Sequence, residues 1–190
     1  MTIVSLSQVS LTLCIANVYN AAGRLLCRWN CVATIVYTET DQRSIDTIEP
    51  LWAQLNEHHR KISPNFSSHY EKFTFEQRKN ELLEKAARGL MHITLAKDID
   101  AGHYIGYCVS SILMDGDTPI GEVESIFVEN EYRSSGIGDK LMNKALEWMD
   151  SKGADKKKVS VGAGNEGVLP FYNKYGFYPR MTLLEQIRKK

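Results

Sequence analysis

Acidic residues are missing from the first 38 positions of this 190-residue chain; the first is Glu39, and only Arg24 and Arg28 carry charge before it. The apolar run Ile3–Ala16 in that stretch is interrupted by serine and threonine. It is too short and too polar to span a bilayer, and no cationic segment precedes it, as a secretory signal would require. An acid-poor, arginine-bearing start is shared with organellar transit peptides. The simpler reading, adopted here, makes residues 1–31 an N-terminal extension outside the core domain. Cysteine is scarce, at Cys14, Cys27, Cys31 and Cys108, and no Cys-x2-Cys pair or Cys/His array is present. That spacing offers no zinc site, so no metal is expected. A chain without a disulfide framework is expected in the cytoplasm. An excess charge of either sign is also lacking, with 23 basic and 23 acidic residues. The balance argues against a general polyanion binder, so neither nucleic acid nor membrane is an expected partner.

What is present is an ordinary apolar fraction of 43% in a chain long enough for one buried core. Val32–Tyr37 is β-branched and reads as the first core strand. A helix follows from Ile45 with Ser44 as its N-cap, burying Ile48, Leu51, Trp52 and Leu55 at helical spacing. Near its end stand His58 and His59; adjacent histidines on a helix point about 100° apart, and we read them as a solvated helix end. Ser63–His69 reads as a loop and Thr74–Arg88 as a helix closed by Gly89. Met91–Ala96, Tyr104–Leu113 and Glu122–Val128 read as successive antiparallel strands. A helix from Asp139 to about Asp150, a strand Val159–Ala163, a helix Leu169–Lys174 and a last strand in Tyr178–Leu184 complete the order. Ser151–Lys158, which ends in three consecutive lysines, reads as a solvated return. The expected architecture is α/β (of the α+β type): residues 32–190 as a single domain with a mixed, mostly antiparallel sheet of six to seven strands flanked by helices.

Between the third antiparallel strand and the long helix lies Arg133-Ser134-Ser135-Gly136-Ile137-Gly138. Glycines there let backbone N–H groups converge on one point, and the helix start adds partial positive charge, which together suit a phosphate or pyrophosphate. The dinucleotide fingerprint fails, since its third glycine would fall on Leu141, and the P-loop pattern is absent. Asn165 and the cluster Phe171-Tyr172-Asn173-Lys174-Tyr175-Gly176-Phe177 follow at the end of the next strand.

The Arg-x-x-Gly-x-Gly loop, then Asn165, then Phe-Tyr-x-Lys-x-Gly-Phe, in this order over Gly121–Arg180, resembles the GNAT superfamily of acetyl-CoA-dependent N-acetyltransferases. The resemblance implies acetyl-CoA as acetyl donor and a primary amine, on a small molecule or a peptide, as acceptor. It implies that Arg133, Ser134, Ser135, Gly136, Ile137, Gly138 and Asp139 receive the pyrophosphate. The main chain of Ile126, Phe127 and Val128 would align the pantetheine arm, and Asn165 would bond that arm or cap the next helix.

Two proton transfers then need side chains. An alkyl ammonium is only about 0.1% neutral near pH 7.4, so a base is required. Glu124 is the leading candidate, on the strand face expected to carry Glu122, Ile126 and Val128, with Glu122 second. The departing thiolate needs an acid, and Tyr172 occupies the family's position for it; Tyr172 also touches the cofactor there. Cys108 lies away from the motifs, so direct transfer in a ternary complex is expected. A noncatalytic acyl-CoA sensor, a longer acyl donor and a homodimer remain open at the level of sequence.

Overall fold

The structure, a computed structural model, describes residues 33–187 and two short strands before them. Those strands, β1 (Val18–Tyr19) and β2 (Leu25–Leu26), form an antiparallel hairpin with Val18 opposite Leu26, within a unit of its own. The rest of the N-terminal extension, with Cys14, Cys27 and Cys31, lies outside the described residues.

The second unit begins with β3 (Ile35–Thr40), later than the expected start at Val32. Asp41 then accepts from the Arg43 amide at 3.0 Å and opens a 3-10 turn over Gln42–Ile48. Asp41 therefore takes the capping role expected of Ser44, which sits at a kink with φ −106°. Helix α1 (Glu49–Ile62) follows with Pro50 in its first turn, where a missing N–H costs nothing. Part of the expected loop is a short helix, α2 (Ser67–Lys72). Thr74, read as the first helical residue, instead caps α3 (Phe75–Arg88), through a reciprocal box in which Gln77 bonds back to the Thr74 amide at 2.8 Å.

Strands β4 (Leu90–Asp98), β5 (His103–Asp115), β6 (Thr118–Val128) and β7 (Lys156–Val159) complete the sheet, with helix α4 (Ile137–Ser151) between the last two and α5 (Leu169–Asn173) after them. Its order is β3-β4-β5-β6-β7, antiparallel throughout except for the parallel pair β6–β7. The five strands fall short of the six to seven expected, but the class and the mixed arrangement are those anticipated. The missing strand is Tyr178–Leu184: these residues have no regular structure, and Met181, Leu183 and Leu184 are almost fully exposed. An apolar extended segment becomes a strand only where a neighbour offers its edge, and among the described residues β7 pairs with β6 alone.

Both faces of the central strands are covered, which explains why β4 and β5 are buried almost continuously rather than at alternate residues. One face packs on α4 and α5 through Cys108, Ile112, Val123, Leu141, Ala145 and Met149. The other packs on α1 and α3 through Ile48, Trp52, Leu82, Ile93, Tyr107 and Phe127. Gly121 allows the first contact: a Cβ there would meet the Met149 sulfur at 2.5 Å.

Two corrections to the sequence reading bear on the site. The lysines read as a solvated return are in β7, with Lys158 bonded to Glu122 and Lys157 to Asp150. Residues 160–163, read as strand, have no ladder partner, because β6 and β7 pair only from Ile120↔Lys156 to Val123↔Val159. The reason is a bulge. Val109 pairs with Ser125 but Ser110 pairs with Val123, so Glu124 is an extra residue in β6. Beyond it the two strands part.

Candidate active site

The bulge redistributes the side chains of β6. Gly121 and Val123 face α4, whereas Glu122 and Glu124 face α3. The extra residue then keeps Ser125 on the α3 side, where its hydroxyl meets Tyr107 Oη at 2.6 Å. Phe127 also lies there, and Ile126 and Val128 turn to the α4 side. Glu124 therefore does not share a face with Ile126 and Val128, contrary to the strict alternation assumed from sequence.

The main chain gains an open edge at the same place. The Glu129 amide donates to Ile105 O at 2.9 Å, so Phe127, two residues earlier, is turned to the same edge and belongs to the β5 ladder. Ile126 and Val128 are turned the other way, toward the gap left by β7. Of the three main-chain positions expected to align an acyl carrier, these two open on the gap. The Val128 carbonyl accepts from Arg133 Nε at 3.0 Å.

One end of the gap is the turn into α4. Ser134 at φ 62° and Gly136 at φ 83° reverse the chain in the left-handed region. The first helical bond is from the Lys140 amide to Gly136 O, and Gly136 carries no side-chain cap. The amides of Ile137, Gly138 and Asp139 thus have no acceptor within the helix, and the dipole adds to their positive field. Arg133 braces the turn, its guanidinium lying 5.5 Å over the Phe127 ring. Ser135 Oγ donates to Tyr132 O in the same turn. Asp139 directs its carboxylate to the residues just after α5, accepting from Tyr175 Oη at 2.6 Å and Lys174 Nζ at 3.3 Å, and the tyrosine bond holds it below the usual carboxylate range. Gly138 lies against the Phe171 ring, 3.6 Å from where a Cβ would stand, an ordinary packing distance. The turn is fastened to α5 at two points.

Helix α5 also carries Tyr172, buried between the edges of Phe171 and Phe177. Burial pushes its phenol up to about 12, so it stays protonated at neutral pH and acts as a donor. Its hydroxyl has no hydrogen-bond partner among the described residues. Cys108 is a buried free thiol also pushed up to about 12 by burial, which removes its thiolate as a nucleophile.

Glu124 is a different kind of group from the solvated strand residue it resembles in sequence. Its side chain is 3% exposed and takes Lys85 Nζ at 2.5 Å, Ser111 Oγ at 2.6 Å and Arg78 Nη2 at 3.3 Å. Arg78 Nη2 also bonds the Glu124 carbonyl at 2.9 Å. Glu122 accepts from Lys85 at 3.1 Å and from Lys158 at 3.2 Å. Arg78, Lys85 and Ser111 were not found by sequence reasoning; the only signal is that Arg78 and Lys85, seven apart, share one face of α3.

Asn165 ends the far wall. Its amide donates to Gly162 O at 3.0 Å and its carbonyl accepts from Val168, opening the short turn before α5. Its side chain meets His58 of α1, with 3.4 Å between Oδ1 and Nε2. His58 and His59 are half-buried rather than a solvated helix end, and His59 stacks on Tyr70 of α2. The loop is pressed against α1 at Gly164, where φ is +92° and a Cβ would fall 2.2 Å from Ile62 O.

Tyr172 packs in the same hydrophobic cluster as Ile126 and Val128, beside the splayed parallel pair and the uncapped start of α4. The Acetyltransferase (GNAT) family model matches residues 52–177, and the chain belongs to this family. An uncharacterized N-acetyltransferase of Methanocaldococcus jannaschii is 38% identical over 58 residues, 30% of this chain and 26% of that protein. The mycothiol acetyltransferase of Corynebacterium aurimucosum is 39% identical over 62 residues, 32% of this chain and 20% of its own length. The matched segment thus spans about a quarter or less of these two relatives. Among solved structures, a putative acetyl transferase from Pyrococcus furiosus superposes with a TM-score of 0.54 at 24% identity, over 80% of this chain and 100% of that one. AAC(6')-Iy, in complex with the bisubstrate analog CoA-S-monomethyl-acetylneamine, gives 0.57 at 15% identity, over 82% of this chain and 99% of that one. At these identities the two structures establish the common fold. Among the described residues, no helix is long and apolar enough to cross a membrane and no group of side chains is arranged to hold a metal.

Proposed function

We propose that this chain transfers the acetyl group of acetyl-CoA directly to a primary amine of a small molecule or a peptide. The observation that carries the reading is the open edge of β6 at Ile126 and Val128, with the unsatisfied α4 amides after it in the chain and Tyr172 packed in the same cluster as those two residues. The amides of Ile137, Gly138 and Asp139, with the turn Arg133–Gly136, receive the pyrophosphate. The main chain of Ile126 and Val128 adds the pantetheine arm as a further strand, and one of these N–H groups polarises the thioester carbonyl. Asn165 holds the arm from the other wall.

The amine nitrogen attacks the carbonyl carbon and the carbon–sulfur bond breaks. Tyr172 delivers a proton to the departing thiolate. A phenol near 12 is a weak donor to a thiol ordinarily near 8.5, but the desolvation that raises the phenol raises the thiol in the same pocket. Two protons leave nitrogen; one ends on sulfur and the other goes to solvent. The high pKa of Cys108 favours this single displacement over an acetyl-enzyme. A cytoplasmic setting belongs to the same reading, with Cys108 kept as a buried thiol.

The test is thiol release from acetyl-CoA against alkylamines, spermidine, an aminoglycoside, a free peptide N-terminus and a lysine peptide. Turnover with at least one amine is expected. Binding without release to any of them would make the chain an acyl-CoA sensor, and faster release from a longer acyl-CoA would change the donor.

A further inference from the structure

The amine must lose a proton, and the carboxylate nearest the bulge is already committed. Glu124 is saturated by two cations and a hydroxyl, and it lies on the α3 face, away from Ile126 and Val128. A different group spans the gap. Gln54 and His58 are one turn apart on α1 and so project from one face. Gln54 Nε2 donates to Glu129 Oε1 at 2.8 Å, just past the end of β6. His58 reaches Asn165, in the loop that follows β7 and precedes α5. One face of α1 therefore runs from the end of β6 to the loop that follows β7, on the side where the two strands have parted.

We propose that His58 is the base that takes the proton from the acceptor ammonium, an assignment that rests on the transferase reading above. Imidazole is the side chain whose ordinary titration falls nearest neutral pH, and a hydrogen bond at one nitrogen fixes the role of the other. With Asn165 Oδ1 accepting from Nε2, the lone pair is on Nδ1. Nδ1 takes one proton from the ammonium and passes it to solvent. The second nitrogen proton is lost as the tetrahedral intermediate collapses, balancing the one that Tyr172 gives to sulfur.

The charged surroundings suit the task. On α1, Glu57 is bonded to Arg60 and Lys61, so neither cation is aimed at the ring. His59, 5.7 Å away between ring centres, has its pKa lowered by burial and by His58, so it does not add a competing positive charge. Tyr70 of α2 stacks on His59, Glu166 follows Asn165, and Glu129 stands at the end of β6. The carboxylates of Glu129 and Glu166 favour an approaching ammonium.

The test is H58Q, which keeps a hydrogen-bonding side chain but cannot titrate, assayed with whichever amine of the panel wild type turns over fastest. At pH 7, kcat/KM should fall about 10²-fold, while calorimetric affinity for acetyl-CoA and the melting temperature stay at wild-type values. The acidic limb of the pH profile should move up toward the titration range of the amine itself, so that raising the pH recovers activity as neutral amine becomes abundant. Wild-type turnover that H58Q retains overturns the assignment and leaves the transferase reading intact. A loss equal at every pH also overturns it and makes His58 a positioning residue. No thiol release by wild type from any amine overturns both. Should H58Q melt early, Asn165→Asp supplies a second measurement: a carboxylate on Nε2 should shift the acidic limb upward, and an unmoved limb refutes the proposal.

Discussion

Replacing Glu124 by glutamine separates an electrostatic lock from a catalytic base. The carboxylate meets Lys85, Arg78 and Ser111, with its side chain 3% exposed. A glutamine keeps one acceptor oxygen and turns an NH2 toward a cation or a hydroxyl. Removing one partner of a buried ion pair costs about 3–5 kcal/mol because the remaining charge is left uncompensated. Here the cations keep other partners: Arg78 has Glu81 at 3.0 Å and Lys85 has Glu122 at 3.1 Å. The loss should therefore be smaller, about 2–3 kcal/mol. For a chain of this size 1 kcal/mol moves the melting temperature by about 2–4 °C, so E124Q should melt about 4–12 °C below wild type. Differential scanning calorimetry reads the shift, and a pH series of kcat/KM on the same protein reads the catalysis. Activity should fall by one factor at all pH values, since a lock does not titrate with the amine. An unchanged melting temperature, together with a loss recovered at high pH, would refute the lock and restore Glu124 as the base.

Tyr172→Phe should lower kcat by about 10²-fold or more with acetyl-CoA affinity unchanged, as for an interaction made mainly in the transition state. Because burial holds the phenol near 12, the wild-type profile should show no alkaline limb from Tyr172 below about pH 10; full kcat in the phenylalanine variant would end the acid assignment. Gly136→Asp should abolish the rise in melting temperature that acetyl-CoA produces, since a carboxylate would meet the pyrophosphate and φ 83° strains any side chain. Unchanged calorimetric affinity would remove the turn from the site. Gly164→Ala should destabilise the chain by about 1–3 kcal/mol, because its Cβ would fall 2.2 Å from Ile62 O; a wild-type melting curve would show that the loop yields without cost.

The stretch from Gly121 to Phe177 was legible because its chemistry is local. Glycines at a helix start and a tyrosine seven residues past an asparagine declare themselves within short windows of sequence. The bulge was less legible, since period-2 reading assumes no extra residue; its trace is the adjacent polar pair Glu124-Ser125 inside an alternating run. Ion pairs across the fold leave no such trace. Glu124 looks like any strand glutamate until Lys85, 39 residues away, is brought to it. His58 likewise gains meaning only through Asn165, 107 residues on. Tyr178–Leu184 has strand composition, but composition does not supply a neighbouring edge.

The bulge at Glu124 acts as a phase shift in a signal of period two. Upstream of it odd-numbered residues face α4; downstream even-numbered ones do. A substitution in β6 alters one side chain, whereas a one-residue insertion after Ser125 would shift the phase again and exchange the contents of the two cores downstream of it. Ile126 and Val128 would be driven toward the Arg78–Lys85 side and Phe127 toward α4. Length in this strand is thus constrained more tightly than identity: β6 should tolerate many exchanges of residue type and almost no insertion or deletion.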